Sequence, residues 1–206
     1  MPKRRGRPRG TSGRAAVLSP SQVRHVFRVA RARPRHGPRA EAALAMSLGL
    51  GLRAKELAAL KWGDVYDDAG RVRPVLHLRA AYTKGGKTRD VFASSPALRR
   101  VLEKYGEGRW LLGAAASQAS MFASQKGGQM TAASMARFLK AVYAEAGLAK
   151  ASSHSGRRTL ITRLAERGVD LKAIAEIAGH ASIRTTATYV ESNPRRLSRI
   201  LQDVTW

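Results

Sequence analysis

Six side chains in this sequence have the chemistry needed to hold a phosphate group and attack it. They are two arginines, a lysine, two histidines and a tyrosine: Arg53, Lys84, His154, Arg157, His180 and Tyr189. A guanidinium binds two phosphate oxygens at once, and at about 4 Å and an effective dielectric of about 20 one such contact is worth about 4 kcal/mol before desolvation. Nearby cations also lower the pKa of a phenol, which favours tyrosine as a nucleophile.

Four of these residues also have an ordinary structural interpretation. Arg53 alone is typical of a surface charge, and Lys84 of a solvated lysine in a turn. His154 could simply cap the helix that follows it, and Tyr189 could be a boundary residue of an amphipathic helix. Only the joint pattern favours a site.

The net charge is the strongest signal in the composition. The 206 residues include 38 Lys and Arg against 14 Asp and Glu, which gives a net charge of +24 and a pI of about 11.6. Such a surface attracts polyanions, with nucleic acid the usual partner and anionic membrane the weaker alternative. A structural nucleic-acid protein would be equally basic, so charge indicates the class of partner and not the activity.

Length and composition exclude several classes of protein. The chain is long enough for one domain with a substantial core, or one domain plus a tail. It contains no run of 18 or more apolar residues, and its basic start leads into no apolar segment, so we expect neither a membrane span nor a secretory signal. Absence of cysteine excludes disulfides and thiolate metal sites and suits a cytoplasmic protein. Binding to DNA would make such a protein nucleoid-associated.

The amino-terminal segment, residues 1–18, has almost no apolar content and is predicted to be a disordered basic tail. Within it, Arg5, Arg7 and Arg9 resemble the core of an AT-hook, which would place guanidinium groups in the narrow minor groove of A·T-rich DNA. A generic basic tail that binds phosphates without sequence preference fits equally well. Residues 1–40 contain 12 Lys and Arg and no acid.

The spacing of apolar residues, caps and glycines predicts a mainly α fold with a small antiparallel β-sheet, in the α+β class. Ordered structure is expected to begin at Ser19, which starts a capping box. Helices are predicted from Ser19, over about 39–50, from about 53, and over 96–105, 131–146, 155–167, 170–178, 182–191 and 195–204. Residues 72–93 have strand character, with AYTKGGKTRDVF as a hairpin around Gly85 and Gly86.

The pattern Arg … Lys … His-x-x-Arg … Gly-His-x₈-Tyr resembles the tyrosine recombinase (phage integrase) family from about Ser19 to Trp206. The similar segments are GLGLRAKELAALKWGDV, TKGGKTRDV, HSGRRT and AGHASIRTTATY. This resemblance implies the catalytic domain of that family over 19–206, with no metal or cofactor. It implies the following roles: Arg53 and Arg157 clamp the scissile phosphate, His154 and His180 act as donors or proton carriers, Lys84 is the general acid, and Tyr189 forms a 3′-phosphotyrosyl link.

Two features depart from the family pattern. Gly156 and Arg158 stand where the family usually has leucine and often histidine, and neither position is expected to contact the phosphate. Only the basic tail precedes Ser19, so the chain resembles the short members that consist of the catalytic domain alone. The charge of the tail would then replace a missing DNA-binding domain.

The resemblance implies a site-specific recombinase that integrates, excises or inverts double-stranded DNA of a mobile element, as a homo-oligomeric tetramer. The terminal segment 194–206 would form a helix that docks on a neighbouring protomer, or alternatively folds back on its own core. A nicking topoisomerase uses the same chemistry without exchange between protomers. A non-catalytic or regulatory DNA-binding protein derived from a recombinase is the remaining alternative, and it predicts a lost site residue.

Overall fold

The computed structural model describes residues 15–83, 86, 88–107, 117–124, 127–189 and 202. Several sequence predictions lie outside these ranges. They are Lys84, the tail arginines Arg5, Arg7 and Arg9, and all of the terminal segment 194–206 except Gln202.

The described residues form nine α-helices, one short 3₁₀-helix and a two-stranded antiparallel sheet, which confirms the predicted mainly α fold. The helices are α1 Pro20–Arg31, α2 Gly37–Gly49, α3 Ala54–Ala59, α4 Trp62–Val65, α5 Pro96–Gly106, α6 Ala132–Glu145, α7 Ser155–Glu166, α8 Leu171–Ala178 and α9 Ile183–Ala187. The strands are β1 Val75–Leu78 and β2 Arg89–Phe92, and the 3₁₀-helix is Ala80–Tyr82. None of the described helices combines the length and apolar character needed to cross a membrane.

The central element is α2, whose residues from Ala40 to Ser47 are all buried. It packs against α1, α5, α6 and α7, so the main core surrounds it on several sides. The contact with α7 is very close, because a Cβ placed on Gly156 would lie 2.9 Å from the Cβ of Ser47. A leucine at 156 would not fit there, which explains why this chain has glycine where the resembled family usually has leucine.

A second, smaller cluster joins the last helices of the described chain. Ile161 of α7 packs with Ile174 and Ala178 of α8, and Tyr189 lies at the edge of the group. Asp170 caps α8 by accepting hydrogen bonds from the N–H groups of Lys172 and Ala173, as predicted for an Asp at this position. The apolar face of α8 is thereby packed against α7.

The predicted boundary of the tail is wrong at its inner end. Leu18 is only 3% exposed, and its N–H donates to Thr159 Oγ1 at 2.9 Å. Its carbonyl accepts from Arg163 Nη2. The packed domain therefore includes Leu18, while the capping box predicted at Ser19 is confirmed.

The predicted tight hairpin is also wrong in its details. The partner of β2 is β1, with Val75 opposite Phe92 and Leu78 opposite Arg89, and residues 79–88 connect the two strands. Ala80–Tyr82 is a 3₁₀-helix instead of a strand. Tyr82 is buried beside Asp64 and Arg79, and this packing outweighs the strand propensity of the sequence.

Candidate active site

Arg157 is held in the first turn of α7 and is only 4% exposed. Its Nη1 donates to the carbonyl of Gly51 at 2.8 Å, and its Nη2 donates to the carbonyl of Ala178. Burial, followed by the charges of Arg53 and Arg89, lowers the pKa of Arg157 to about 9. The Arg157 guanidinium therefore remains charged at neutral pH. Its two carbonyl acceptors, on Gly51 and Ala178, already hold it in place.

Arg53 is the N-cap residue of α3, and its side chain is 22% exposed. Nη1 donates to Glu56 Oε1 at 2.8 Å, and Nη2 donates to the carbonyl of Gly179 at 3.2 Å. The backbone N–H of Arg53 donates to Glu56 Oε2 at 2.7 Å. Glu56 therefore orients this guanidinium through contacts with both its side chain and its backbone.

Arg89 was missed as a site residue in the sequence, although it lies in the TKGGKTRDV segment. Its side chain is 10% exposed; Nη2 donates to Glu56 Oε2 at 2.9 Å and Nη1 to the carbonyl of Ile177 at 2.8 Å. A signal was available in the strand, because alternation places Arg89 on the same face as the buried Val91. An arginine on an inward face requires a fixed partner.

Three consecutive carbonyls at the carboxyl end of α8 each accept from a different arginine. Ile177 accepts from Arg89, Ala178 from Arg157, and Gly179 from Arg53. The last carbonyls of a helix have no partner inside it, and they form the negative end of its dipole. The end of α8 is therefore the element that gathers these three cations.

Glu56 supplies negative charge among the three guanidinium groups. Burial would raise the pKa of Glu56, but the lowering by Arg89 and then Arg53 outweighs this effect. The net shift of the pKa is downward, so the carboxylate is ionised at neutral pH. Its charge is also felt at Arg157. The cluster keeps an excess of two positive charges, which suits an anionic ligand.

His180 directly follows Gly179, the C-cap residue of α8. Its Nδ1 lies 2.8 Å from Thr186 Oγ1. Burial, then Arg157, Arg53 and Arg89, lower the pKa of His180 to about 4. The ring is therefore neutral at pH 7, and Nε2 is the other nitrogen available to a ligand. An anion bound among these cations would raise this pKa.

His154 occupies the N-cap position of α7, but its side chain makes no capping hydrogen bond. Nδ1 lies 3.3 Å from Ser153 Oγ. Partial burial of the ring and the charges of Arg157 and Arg53 lower the pKa of His154. The interpretation of this side chain as a helix cap is therefore not supported, and its ring lies near enough to Arg157 and Arg53 for their charges to act on it.

Tyr189 lies in the turn after α9, which ends at Ala187 and is shorter than predicted. Its ring stacks on His180, with centroids 5.7 Å apart and an interplanar angle of 17°. The chain has five tyrosines, and the other four, Tyr66, Tyr82, Tyr105 and Tyr143, are buried. Tyr189 is half-buried, so its phenol is the one that an external substrate can reach.

Arg158 contacts Tyr189 as well, with its Cζ 5.8 Å from the centroid of the ring. This position was not expected to contact the phosphate, and no role in the reaction was assigned to it. The structure places it against the proposed nucleophile, in the distance range of a cation–π contact.

Of the six predicted site residues, five lie within the described ranges and are brought together around the end of α8. The sixth, Lys84, lies outside those ranges. Its neighbour Thr83 accepts a hydrogen bond from Lys55 Nζ through its carbonyl at 3.1 Å. Within the described ranges, no three His, Asp or Glu side chains are grouped as metal ligands would be.

The fold and the site define a mainly α domain with a buried arginine cluster beside an accessible tyrosine. The chain belongs to the phage integrase family, whose domain it matches over residues 16–196. The family resemblance found in the sequence is thereby confirmed.

The chain is similar to tyrosine recombinase XerC of Pelobacter propionicus, with 34% identity over 166 residues, or 80% of this chain and 51% of that protein. It is also similar to tyrosine recombinase XerD of Neisseria meningitidis, with 31% identity over 154 residues, or 75% of this chain and 50% of that protein. The chain thus spans about half the length of these relatives.

Solved structures show the same fold. The crystal structure of XerA recombinase matches with a TM-score of 0.71 and 23% identity, over 94% of this chain and 68% of that one. The Tn1549 transposon integrase in complex with circular intermediate DNA matches with a TM-score of 0.72 and 20% identity, over 95% of this chain and 69% of that one.

Proposed function

We propose that this chain is the catalytic part of a site-specific DNA recombinase that cleaves and rejoins DNA through a 3′-phosphotyrosyl intermediate. The observation that carries this proposal is the position of Tyr189. It is the only tyrosine of the chain that is not buried, and it stacks on His180 beside Arg53 and Arg157.

In the proposed reaction, Arg53 and Arg157 bind the non-bridging oxygens of the scissile phosphate. Both guanidinium groups are already held by backbone carbonyls, so little reorganisation is needed when charge develops in the transition state. The phenol oxygen of Tyr189 attacks phosphorus, and the bond from phosphorus to the 5′ oxygen breaks. His154 or His180, both with lowered pKa values, takes the phenol proton.

The leaving 5′ oxygen receives a proton from Lys84, which retains the role of general acid that the family resemblance implies. The phosphotyrosyl bond keeps the energy of the broken phosphodiester. A 5′-hydroxyl from another strand can then attack it, which restores the DNA backbone and frees Tyr189. The cycle balances without a metal ion or nucleotide.

Double-stranded DNA is the proposed substrate, because the net charge of +24 would hold a polyanion near the site. The related XerC and XerD proteins are named tyrosine recombinases, and the Tn1549 integrase was solved with DNA. Arg5, Arg7 and Arg9 would add contacts along the minor groove. Exchange between two duplexes cuts four strands, so one Tyr189 per chain requires a tetramer.

A regulatory DNA-binding protein is the second candidate. Such a protein would retain the positive charge without needing a buried carboxylate, three fixed guanidinium groups and an accessible tyrosine at one place. These features favour the enzyme.

The proposal is tested by incubating the protein with a pool of nicked duplexes that trap cleaved strands, followed by denaturing gels. We expect a covalent adduct that forms in the presence of a chelator, is lost in Tyr189→Phe and is retained in Tyr82→Phe, the control at a buried tyrosine. An adduct that survives in Tyr189→Phe would overturn the assignment. No adduct from the unmodified protein on any sequence in the pool would favour the regulatory alternative.

A further inference from the structure

We propose that Arg89 is a positioning residue for the phosphate clamp. By bridging Glu56 and the carbonyl of Ile177, it fixes the Arg53 guanidinium and the turn that carries His180. This inference rests on the proposed function, and it assigns a role to a residue of the hairpin other than the lysine.

The first step in the argument is that Arg89 joins three separate elements. It belongs to β2, its Nη2 donates to Glu56 of α3 at 2.9 Å, and its Nη1 donates to the end of α8 at 2.8 Å. The side chain is 10% exposed and Glu56 is fully buried, so water competes little for these contacts. Pairing of Arg89 with Leu78 in the sheet fixes the base of the side chain as well.

The second step concerns how Glu56 divides its charge. Oε1 accepts from Arg53 Nη1, whereas Oε2 accepts from Arg89 Nη2 and from the backbone N–H of Arg53. If Arg89 were removed, Arg53 would be the only guanidinium bonded to this buried carboxylate. Arg53 would then be drawn toward α3 and would offer less of its charge to a phosphate.

The third step is an independent observation at Gly179. This residue has a φ of +61°, and a Cβ built on it would lie 2.9 Å from Arg89 Nε. The backbone of the turn therefore lies directly against the Arg89 side chain. His180 is the next residue, so the position of its ring depends on the same contact.

The test compares single-turnover cleavage of a normal scissile phosphodiester with cleavage of a methylphosphonate at the same position. The methylphosphonate lacks the negative charge that the clamp is proposed to bind. A variant that misplaces the clamp slows the first reaction more than the second, whereas a general structural defect slows both alike. The variants are Arg53→Met as the clamp reference, Arg89→Met, Arg89→Lys, and Arg71→Met as a control for loss of a surface charge.

We expect Arg89→Met to slow phosphodiester cleavage about 100-fold, as misplacement of a catalytic group by about 1 Å can do. The loss on the methylphosphonate should be at least about tenfold smaller, as for Arg53→Met. Arg89→Lys should recover part of the rate, because lysine can pair with Glu56 but cannot also form the fixed fork to Ile177. Arg71 is 78% exposed beside Asp67, and its removal should leave both rates unchanged at saturating DNA.

Equal slowing of both substrates by Arg89→Met, or no slowing of either, would overturn the inference. If Arg89→Met does not fold, as judged by thermal unfolding, the same ratio of rates is read in Arg89→Lys. Failure of the proposed function gives a different result, because the unmodified protein would then form no tyrosine adduct with either substrate.

Discussion

Two groups of arginine in this protein carry the same charge but are held in different ways. Arg53, Arg89 and Arg157 are mostly buried, and each donates to a carbonyl at the end of α8. Arg53 and Arg89 also pair with Glu56. Arg71 represents the other group, with a side chain that is 78% exposed and paired with Asp67 in the same turn. Surface charges attract a polyanion at a distance, but only fixed charges can stabilise a particular transition state.

The largest expected effect separates these two groups directly. Arg157→Ala should slow single-turnover cleavage by about 10²–10³-fold or more while the protein keeps most of its affinity for duplex DNA. The carbonyls of Gly51 and Ala178 would also lose their donor, at a cost of about 1–3 kcal/mol each. Rates, affinity and urea unfolding are measured together, with Arg71→Ala as control. A proportional loss of affinity and rate would mean that Arg157 serves binding only.

The next effect concerns the carboxylate that balances the cluster. Glu56→Gln should lower the free energy of unfolding by about 3–5 kcal/mol, because two buried guanidinium groups lose their counter-charge. Urea unfolding measures the change. Asp67→Asn, which breaks an exposed ion pair, is the matched control and should leave the midpoint unchanged. If Glu56→Gln and Asp67→Asn lowered the free energy of unfolding equally, the arginine cluster would depend on its carboxylate no more than the exposed ion pair does.

A smaller effect is expected from the turn beside Arg89. Gly179→Ala and Gly168→Ala both place a side chain at a positive φ, +61° and +83°, and each should cost about 1–2 kcal/mol of stability. Only at Gly179 would the new Cβ meet Arg89, whereas nothing lies within 4 Å of a Cβ at Gly168. Cleavage should therefore fall in Gly179→Ala alone. Equal cleavage by the two variants would contradict the close approach.

The smallest effect is a pH dependence at His180. Its pKa of about 4 in the folded protein lies below the ordinary value of 6.5, so the stability that depends on the neutral ring is complete above pH 6.5. That stability falls as the pH decreases from 6.5 toward 4, because the unfolded state binds the proton first. The melting temperature should decrease over this range in the unmodified protein and less in His180→Asn. An identical decrease in both proteins would place the titration elsewhere.

Local rules predicted much of this structure from the sequence. The capping box predicted at Ser19 is confirmed, and Thr131 and Asp170 cap the helices predicted to begin there, because side-chain capping depends only on neighbouring residues. The pairing of Arg53 with Glu56 was also predictable, since the two are three residues apart. These features need no knowledge of distant contacts.

The features that were missed depend on contacts between distant segments. Leu18 was assigned to the tail because its partner Thr159 is 141 residues away. Arg89 was overlooked because its role depends on the end of α8, to which it is joined across 88 residues. The strand predicted at Tyr82 was wrong for the same reason, because burial beside Asp64 and Arg79 decides the local structure there.

The most direct test of the account is to identify the residue that becomes attached to DNA. The covalent adduct is digested with protease and nuclease, and the modified peptide is sequenced by mass spectrometry. The account predicts a 3′-phosphotyrosyl link on Tyr189 and on no other tyrosine, since the other four are buried. A link to a different residue would contradict the proposed site and the part that the arginine cluster has in it.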